Sequence, residues 1–349
     1  MSLSRRARAR ASAIASALLS GSAIVGASGA VAQGQVNIYS YREPALIEPL
    51  LKAFTAKTGI KTNVVFAQAG LNERLQAEGR NSPADLLLTV DAARLSEAKA
   101  AGLTQSVKSA AFDVVPKAYK DADGHWYGLT MRARVFYVSK ARVTQDSITY
   151  EELADPKWKG KICTRAGQHV YNTSLLATII AHKGEAEAEK WALGVKANLA
   201  RKPAGGDREA VRDVRAGLCD IALANTYYMA AMLNNPEQKA WAEATRIVFP
   251  NAGDRGTHVN ISGVALTAHA PNKANAQMLM EFLVSDAAQA LYASANNEYP
   301  INPAVPPSHL VKSWGALKPD PLPLDNIAKF RKRASEIMDR VGYDQGPTN

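Results

Sequence analysis

Only two cysteines, Cys163 and Cys219, occur in the 349 residues, and no histidine pairs with them, so a Cys/His zinc site has almost nothing to work with. The six histidines are scattered without H-x-x-x-H spacing. Neither a phosphate-cradling P-loop nor a G-x-G-x-x-G turn is present. Ser262-Gly263 sits in NISGVAL without a nucleophile elbow, which leaves a Ser-His-Asp hydrolase unsupported. The formal charge is +10, yet its lysines and arginines are spread out rather than gathered in a basic, aromatic-interleaved block of the nucleic-acid-binding kind. Beyond residue 32 no run is long and apolar enough to span a bilayer.

What is present at the start reads as an export signal over residues 1–32. Arg5, Arg6, Arg8 and Arg10 make a basic region, Ala11 to Ala30 carries no charge, and Ala30-Val31-Ala32 is an A-x-A cleavage pattern. Arg5-Arg6 after Ser4 hints at twin-arginine export, although the hydrophobic residues usual after such a pair are missing. The expectation is a cleaved protein in the periplasm, where an even pair of cysteines reads as a Cys163–Cys219 disulfide.

The remaining 317 residues are large for one core and natural for two lobes. VNIYSY (36–41) alternates as a strand. PALIEPLLKAFTAKT (44–58) has helical spacing, with Leu46, Ile47, Leu50, Leu51 and Phe54 on one stripe and Gly59 as its C-terminal stop. Strands follow at 60–66 and 84–90, with a short helix over 71–79 between them. The middle is strand-rich, with separate strands at 126–129 and 134–139. A second α/β set then has helices near 173–183 and 185–199, a strand at 219–224 and a helix at 227–234. Another strand is expected over 259–266, further helices over 272–285 and 287–295, and a charged amphipathic helix over 325–341 after a proline-rich stretch. Alternation of this kind gives an α/β fold with a parallel sheet, and two such lobes joined by crossing strands imply a central cleft. Residues 33–130 with about 254–305 are expected to form the N-terminal lobe, and about 131–253 with 306–349 the C-terminal lobe.

The most informative residues are the adjacent tyrosines Tyr227 and Tyr228, placed where the apolar run ending at Asn225-Thr226 meets a helical pattern. In a continuing strand two neighbouring side chains point to opposite faces; at a strand-to-helix corner both can enter one cleft. Two converging phenols suit a hard, highly charged cation, because only such an ion favours the phenolate of a group with a pKa near 10. The plain alternative is one packed tyrosine and one facing solvent. Asp85 and Asp91, flanking the third strand, read as turn or capping residues, and Arg212, Asp213 and Arg215 as a solvated helix face.

NIYSYREPALIEPLLKAFTAKTGIKTNVVF resembles the opening of periplasmic solute-binding proteins of ABC importers. ITYEELADPKWKGKIC, VYNTSLLA, CDIALANTYY and GVALTAHAPNKANAQMLMEFLVSDAAQ resemble more narrowly their ferric-iron-binding branch, the bacterial transferrins. The resemblance implies a two-lobed periplasmic-binding-protein fold (class II type) and a non-enzymatic, monomeric Fe(III) carrier that serves an inner-membrane ABC permease. It implies Tyr227 and Tyr228 as phenolate ligands and Tyr171 as a third. Relatives of the cyanobacterial type add a ligand from a His-Tyr pair in the N-terminal loop; here that stretch reads Ser40-Tyr41-Arg42-Glu43, which points to Tyr41 as the ligand, Glu43 as the fallback and Tyr39 as a packing residue. Arg132 or Arg134 would approach the metal. Three phenolates already balance the 3+ charge of the ion; a fourth leaves a net negative site that a nearby arginine would offset, whereas with only three an exogenous anion such as carbonate would complete an octahedral shell. The alternative reading keeps the fold and exchanges iron for a polyamine, thiamine, phosphonate or another anion.

Overall fold

The computed structural model describes residues 34–347; the expected export signal over 1–32 lies outside them. Among the described residues ten strands are joined in one hydrogen-bonded sheet system. They are β1 (Gln35–Ser40), β2 (Lys61–Phe66), β3 (Leu86–Thr89), β4 (Thr104–Gln105), β5 (Tyr127–Ser139), β6 (Ile162–Cys163), β7 (Ile221–Asn225), β8 (Thr245–Val248), β9 (Val259–Thr267) and β10 (Tyr299–Pro300). The helices are α1 (Pro44–Thr58), α2 (Leu71–Glu78), α3 (Ala92–Ala100), α4 (Val170–Lys183), α5 (Glu185–Ala197), α6 (Asp207–Arg215), α7 (Tyr228–Leu233), α8 (Lys239–Glu243), α9 (Lys273–Val284), α10 (Asp286–Leu291), α11 (His309–Ser313) and α12 (Leu324–Arg340).

The main path runs β2-β1-β3-β9-β5-β7-β6. β1 is parallel to β2 and β3, and β6 is parallel to β7, as the alternating strand–helix pattern predicts. Antiparallel β9 and β5 join these two parallel groups. β5 is where the architecture turns. Up to Ala133 it pairs with β9, and from Arg134 it pairs with β7. One strand thus serves both groups and passes between them at Ala133-Arg134.

The sequence pattern predicts two separate strands in this stretch, and the structure holds one of 13 residues. Arg132 and Arg134 break the apolar pattern without breaking the strand, because both guanidiniums are buried against partners. Arg132 donates to the Val90 carbonyl, and Arg134 pairs with Asp207 and donates to Asn172 Oδ1 at 2.8 Å. Their i, i+2 spacing puts them on one face.

In α1, Ile47, Leu50, Leu51 and Phe54 are buried, and burial of each contributes about 1.5–3 kcal/mol before the entropy of ordering. Leu46 departs from that stripe and lines the cleft described below. Gly59 ends the helix at φ +76°, its N–H returning to the Thr55 carbonyl at 2.8 Å. Asp91 caps α3 by accepting from the Ala93 N–H at 2.9 Å, and it also accepts from Ser174 Oγ at 2.8 Å and Asn260 Nδ2 at 2.7 Å. Asp213 is buried and ion-paired with Arg201, so it is not part of a solvated face; its carboxylate holds the 201 loop onto α6.

Cys163 and Cys219 form a disulfide with Cα atoms 5.9 Å apart, both sulfurs in the core beside β6 and β7. The bridge closes 56 residues of chain that include α4, α5 and α6. Replacing both cysteines by alanine is expected to lower the unfolding free energy by about 2–4 kcal/mol, through the larger entropy of the unbridged unfolded chain. Calorimetry of the oxidised protein and the double variant checks this, and equal melting temperatures would contradict it.

Candidate metal centre

β7 ends at Asn225, and the chain turns directly into α7. Tyr227 occupies the position before the helix with φ −64° and ψ −19°, and Tyr228 is its first residue. The corner is held to β5 from below. The Thr226 N–H donates to the Ala133 carbonyl at 3.0 Å, and the Tyr137 hydroxyl donates to the Asn225 carbonyl at 2.9 Å. Both tyrosine rings leave the corner on the same side, their centroids 4.4 Å apart.

Tyr171 arrives from another element, the second residue of α4. His169 caps that helix, its Nδ1 accepting from the Tyr171 N–H at 3.2 Å, and its ring stands edge-on to Tyr171 at 4.5 Å. Burial, with Arg165 and Arg134 close by, pushes the His169 pKa down to about 2, so the ring is neutral and its nitrogen can accept. The hydroxyls of Tyr171 and Tyr227 are 3.0 Å apart, one donating to the other. The structure therefore brings Tyr171, Tyr227 and Tyr228 to one place.

They line a cleft of about 360 Å³ together with Tyr41, Glu43 and five arginines, Arg42, Arg94, Arg132, Arg165 and Arg331. Three guanidiniums stand around the Tyr171 ring, Arg165 at 5.3 Å, Arg132 at 5.5 Å and Arg134 at 5.7 Å from its centroid. Four of the five lining arginines have carboxylate partners. Arg42 pairs with Glu298, Arg132 stands 4.0 Å from Asp91, Arg165 is 3.6 Å from Asp207, and Arg331 meets Glu97 at 2.7 Å. Arg94 has no ion pair among the described residues; it lies 4.0 Å above the Tyr41 ring and donates to the Gln68 carbonyl at 3.1 Å.

The other sequence candidates fall as follows. Tyr41 faces the cleft from the end of β1, but its hydroxyl is engaged: it accepts from the Asn72 N–H at 2.9 Å and donates to Asn72 Oδ1 at 3.4 Å. Glu43 is exposed at the cleft rim, just before α1, and makes no capping bond. Tyr39 packs in the core and donates to the Glu78 carboxylate at 2.7 Å. Arg42, Arg94, Arg165, Arg331 and Asp207 were not singled out from sequence. Arg42 stands inside the SYREP stretch, whereas the rest carry no local signal because their roles arise from contacts 18 to 234 residues apart in the chain.

Among the described residues no group of three His, Cys, Asp or Glu side chains is placed to hold a metal, so the phenols are the concentrated donor set. Burial, and the neighbouring tyrosines, push all three phenols well above the ordinary tyrosine value, with Arg132 or Arg165 opposing. The resting cluster is thus neutral and hydrogen-bonded. Only a strong positive charge set among the three oxygens makes the phenolates favourable.

Raised folded pKa values have a definite pH consequence. In the unfolded chain these phenols ionise near pH 10, while in the folded protein they stay protonated beyond it. Stability contributed by the neutral phenols is complete below that pH and falls as pH rises through it. An ultraviolet titration of metal-free protein should show the three phenols lagging behind those of denatured protein. Ionisation at the ordinary value, read as the difference from a triple Tyr→Phe variant at 171, 227 and 228, would contradict the burial argument.

Residues 81–315 match the family described as bacterial extracellular solute-binding protein. Iron uptake protein A1 of Synechocystis is 44% identical over 316 residues, covering 89% of this chain and 88% of the relative. Apo ferric ion-binding protein A of Pasteurella haemolytica superposes with a TM-score of 0.86 at 48% identity, over 89% of this chain and 98% of the other. A Trichodesmium protein solved in complex with iron and citrate ligands superposes with a TM-score of 0.83 at 41% identity, over 89% of this chain and 100% of the other. The mixed α/β sheet is therefore the two-lobed scaffold of periplasmic binding proteins. No described helix is long and apolar enough to cross a membrane. With its crossing strand, arginine-lined cleft and phenol cluster, the chain belongs to the bacterial extracellular solute-binding proteins.

Proposed function

We propose that the protein is a non-enzymatic periplasmic carrier that binds Fe(III) through the phenolates of Tyr171, Tyr227 and Tyr228 and hands it, as a monomer, to an ABC permease in the inner membrane. The observation that carries this reading is the 3.0 Å approach of the Tyr171 and Tyr227 hydroxyls, with Tyr228 beside them in the same cleft. A small hard cation in an octahedral shell with bonds of about 2.0–2.1 Å needs adjacent donor oxygens about 3 Å apart. The names of the similar proteins, an iron uptake protein and ferric ion-binding proteins, agree with it.

The change of strand partners in β5 supports a division into two lobes. We assign residues 33–130 with about 254–305 to one lobe and about 131–253 with 306–349 to the other; the passage of β5 from β9 to β7 at Ala133-Arg134 lies three residues past the first of these boundaries. The three phenols then come from the second lobe, and Tyr41 or Glu43 from the first. Tyr41 serves as the ligand if it turns off Asn72; Glu43 needs no such release. Arg132 and Arg134 border the phenols, and their positive charge favours the phenolates.

Three phenolates neutralise the ferric ion, and a cleft of about 360 Å³ has room for more than a bare metal. A carbonate or a larger oxyanion completes the shell, with arginines as its counter-charges. The same arginine lining is the observation behind the second reading, a small organic anion bound in its own right. It weighs against polyamine and thiamine, which are cations, and leaves phosphonate-like ligands.

Metal-free protein given ferric nitrilotriacetate should develop a phenolate-to-iron charge-transfer colour that is lost in the Y227F/Y228F variant. Uptake must displace phenolic protons, so the apparent affinity should fall as pH falls, by up to about tenfold per pH unit for each proton released. Colourless protein stabilised by a phosphonate and indifferent to iron would favour the second reading. Comparison of Tyr41→Phe with Glu43→Gln assigns the first-lobe donor: the variant that removes it should shift the colour and weaken binding, while the other leaves both unchanged.

A further inference from the structure

Asp207, the first residue of α6, is fully buried and touches none of the phenols, yet its contacts reach every segment that carries one. Its Oδ2 accepts from the Asn225 backbone N–H at 3.1 Å and from Arg134 Nη1. Asn225 is the last residue of β7 and opens the corner that places Tyr227 and Tyr228; its side-chain amide stands 3.5 Å from the Tyr227 hydroxyl. Arg134 extends the connection in two directions, through Nη1 to Asn225 Oδ1 at 3.2 Å and through Nη2 to Asn172 Oδ1 at 2.8 Å. Asn172 is the neighbour of Tyr171 on α4, and its amide donates to the Arg165 and Ala166 carbonyls at 3.1 and 3.0 Å, which ties down the start of that helix. The second carboxylate oxygen, Oδ1, accepts no hydrogen bond among the described residues and faces Arg165 Nη1 at 3.6 Å.

We infer that Asp207 is the positioning residue of the tyrosine cluster, the single carboxylate that sets the spacing of Tyr171 against Tyr227 and Tyr228 and holds two guanidiniums beside them. The inference rests on the ferric reading for its consequence in binding and on the metal-free geometry for its own validity.

Two physical arguments favour a positioning role over a contribution to bulk stability. A buried ion pair is weak evidence for net stability, because desolvation offsets the attraction, whereas it holds its partners in one geometry. Charge-assisted bonds to a planar guanidinium are also directional, so the Asp207–Arg134–Asn172 chain transmits position as well as charge. Three segments distant in sequence, around residues 134, 172 and 225, are joined by it. The charge count agrees: Arg134 and Arg165 share one carboxylate, which leaves one excess positive charge next to phenols that must become anions.

The test compares wild type, Asp207→Asn, Arg134→Lys and the double variant, each first checked for native circular dichroism. Asp207→Asn keeps an acceptor for the Asn225 N–H but removes the anion; Arg134→Lys keeps the cation but removes the fork. Each single variant is expected to weaken uptake from ferric nitrilotriacetate by about tenfold or more, the usual cost of losing a charge-assisted hydrogen bond. Each should also shift the charge-transfer maximum, which a purely global destabilisation does not move. The double variant should lose little beyond either single one, since both break the same chain. If Asp207→Asn fails to fold, Arg134→Lys carries the same expectation alone. A crystal structure of the metal-free variant supplies the arm that does not need iron, and there the Tyr171–Tyr227 hydroxyl contact of 3.0 Å should be lost. A folded variant with wild-type affinity and colour, or with that contact intact, overturns the inference. A wild type that takes up no iron while the metal-free contact breaks in the variant counts against the ferric reading only.

Discussion

Two buried phenols, Tyr171 and Tyr227, with half-buried Tyr228 beside them and guanidiniums 5.3–5.7 Å from the Tyr171 ring centre, form the constraint on which the rest of this structure depends. Phenols 3.0 Å apart cannot ionise together without a cation between them. Left alone they stay neutral and satisfy one another. Arginines around the Tyr171 ring supply positive charge that lowers the cost of ionisation, and carboxylates such as Asp91 and Asp207 cancel most of that charge in the resting state. The cluster is thus held close to, and short of, the state that a trivalent cation would complete.

The fold delivers these groups from separate places. One phenol comes from the start of α4 and two from the corner after β7, while the arginines come from β5, from the loop before α4, and from the opposite side of the cleft. β5 is central to this, because it belongs to both parallel groups of strands and carries Arg132 and Arg134 on one face at the point of passage. A strand that crosses between lobes and presents charge to the cleft at the crossing links lobe geometry to site geometry. Ser174 of α4 reaches Asp91 at 2.8 Å and Arg331 of α12 reaches Glu97 at 2.7 Å, so polar contacts also tie α4 and α12 to the start and middle of α3.

Much of this was legible in the sequence. The apolar run into Asn225-Thr226 followed by two tyrosines marks a strand-to-helix corner, and the structure places both rings on one side of it. The stripe of α1, the near-continuous apolar β3 and the cysteine pair are local signals with local causes. What could not be read has a common physical origin. β5 appears interrupted because Arg132, in the gap between the two expected strands, looks like a surface residue until its partner, the Val90 carbonyl, is known; the partners of Arg134, namely Asp207, Asn172 and Asn225, are equally distant in sequence. Asp207 gives no signal beyond two preceding glycines, since its importance lies entirely in long-range contacts. Asp213 reads as solvated for the same reason, its partner Arg201 lying 12 residues away on a loop. Tyr41 illustrates the converse: the sequence places it at the cleft, and only the structure shows its hydroxyl already occupied by Asn72.

The central claim is that a ferric ion sits among these phenol oxygens. Its most direct test is an anomalous-scattering map at the iron absorption edge, from crystals of the protein loaded with ferric ion. The account predicts one strong peak in the cleft, within bonding distance of the Tyr171, Tyr227 and Tyr228 oxygens. A map with no peak there, or with the ion held elsewhere while the Tyr171–Tyr227 hydrogen bond stays intact, would contradict it.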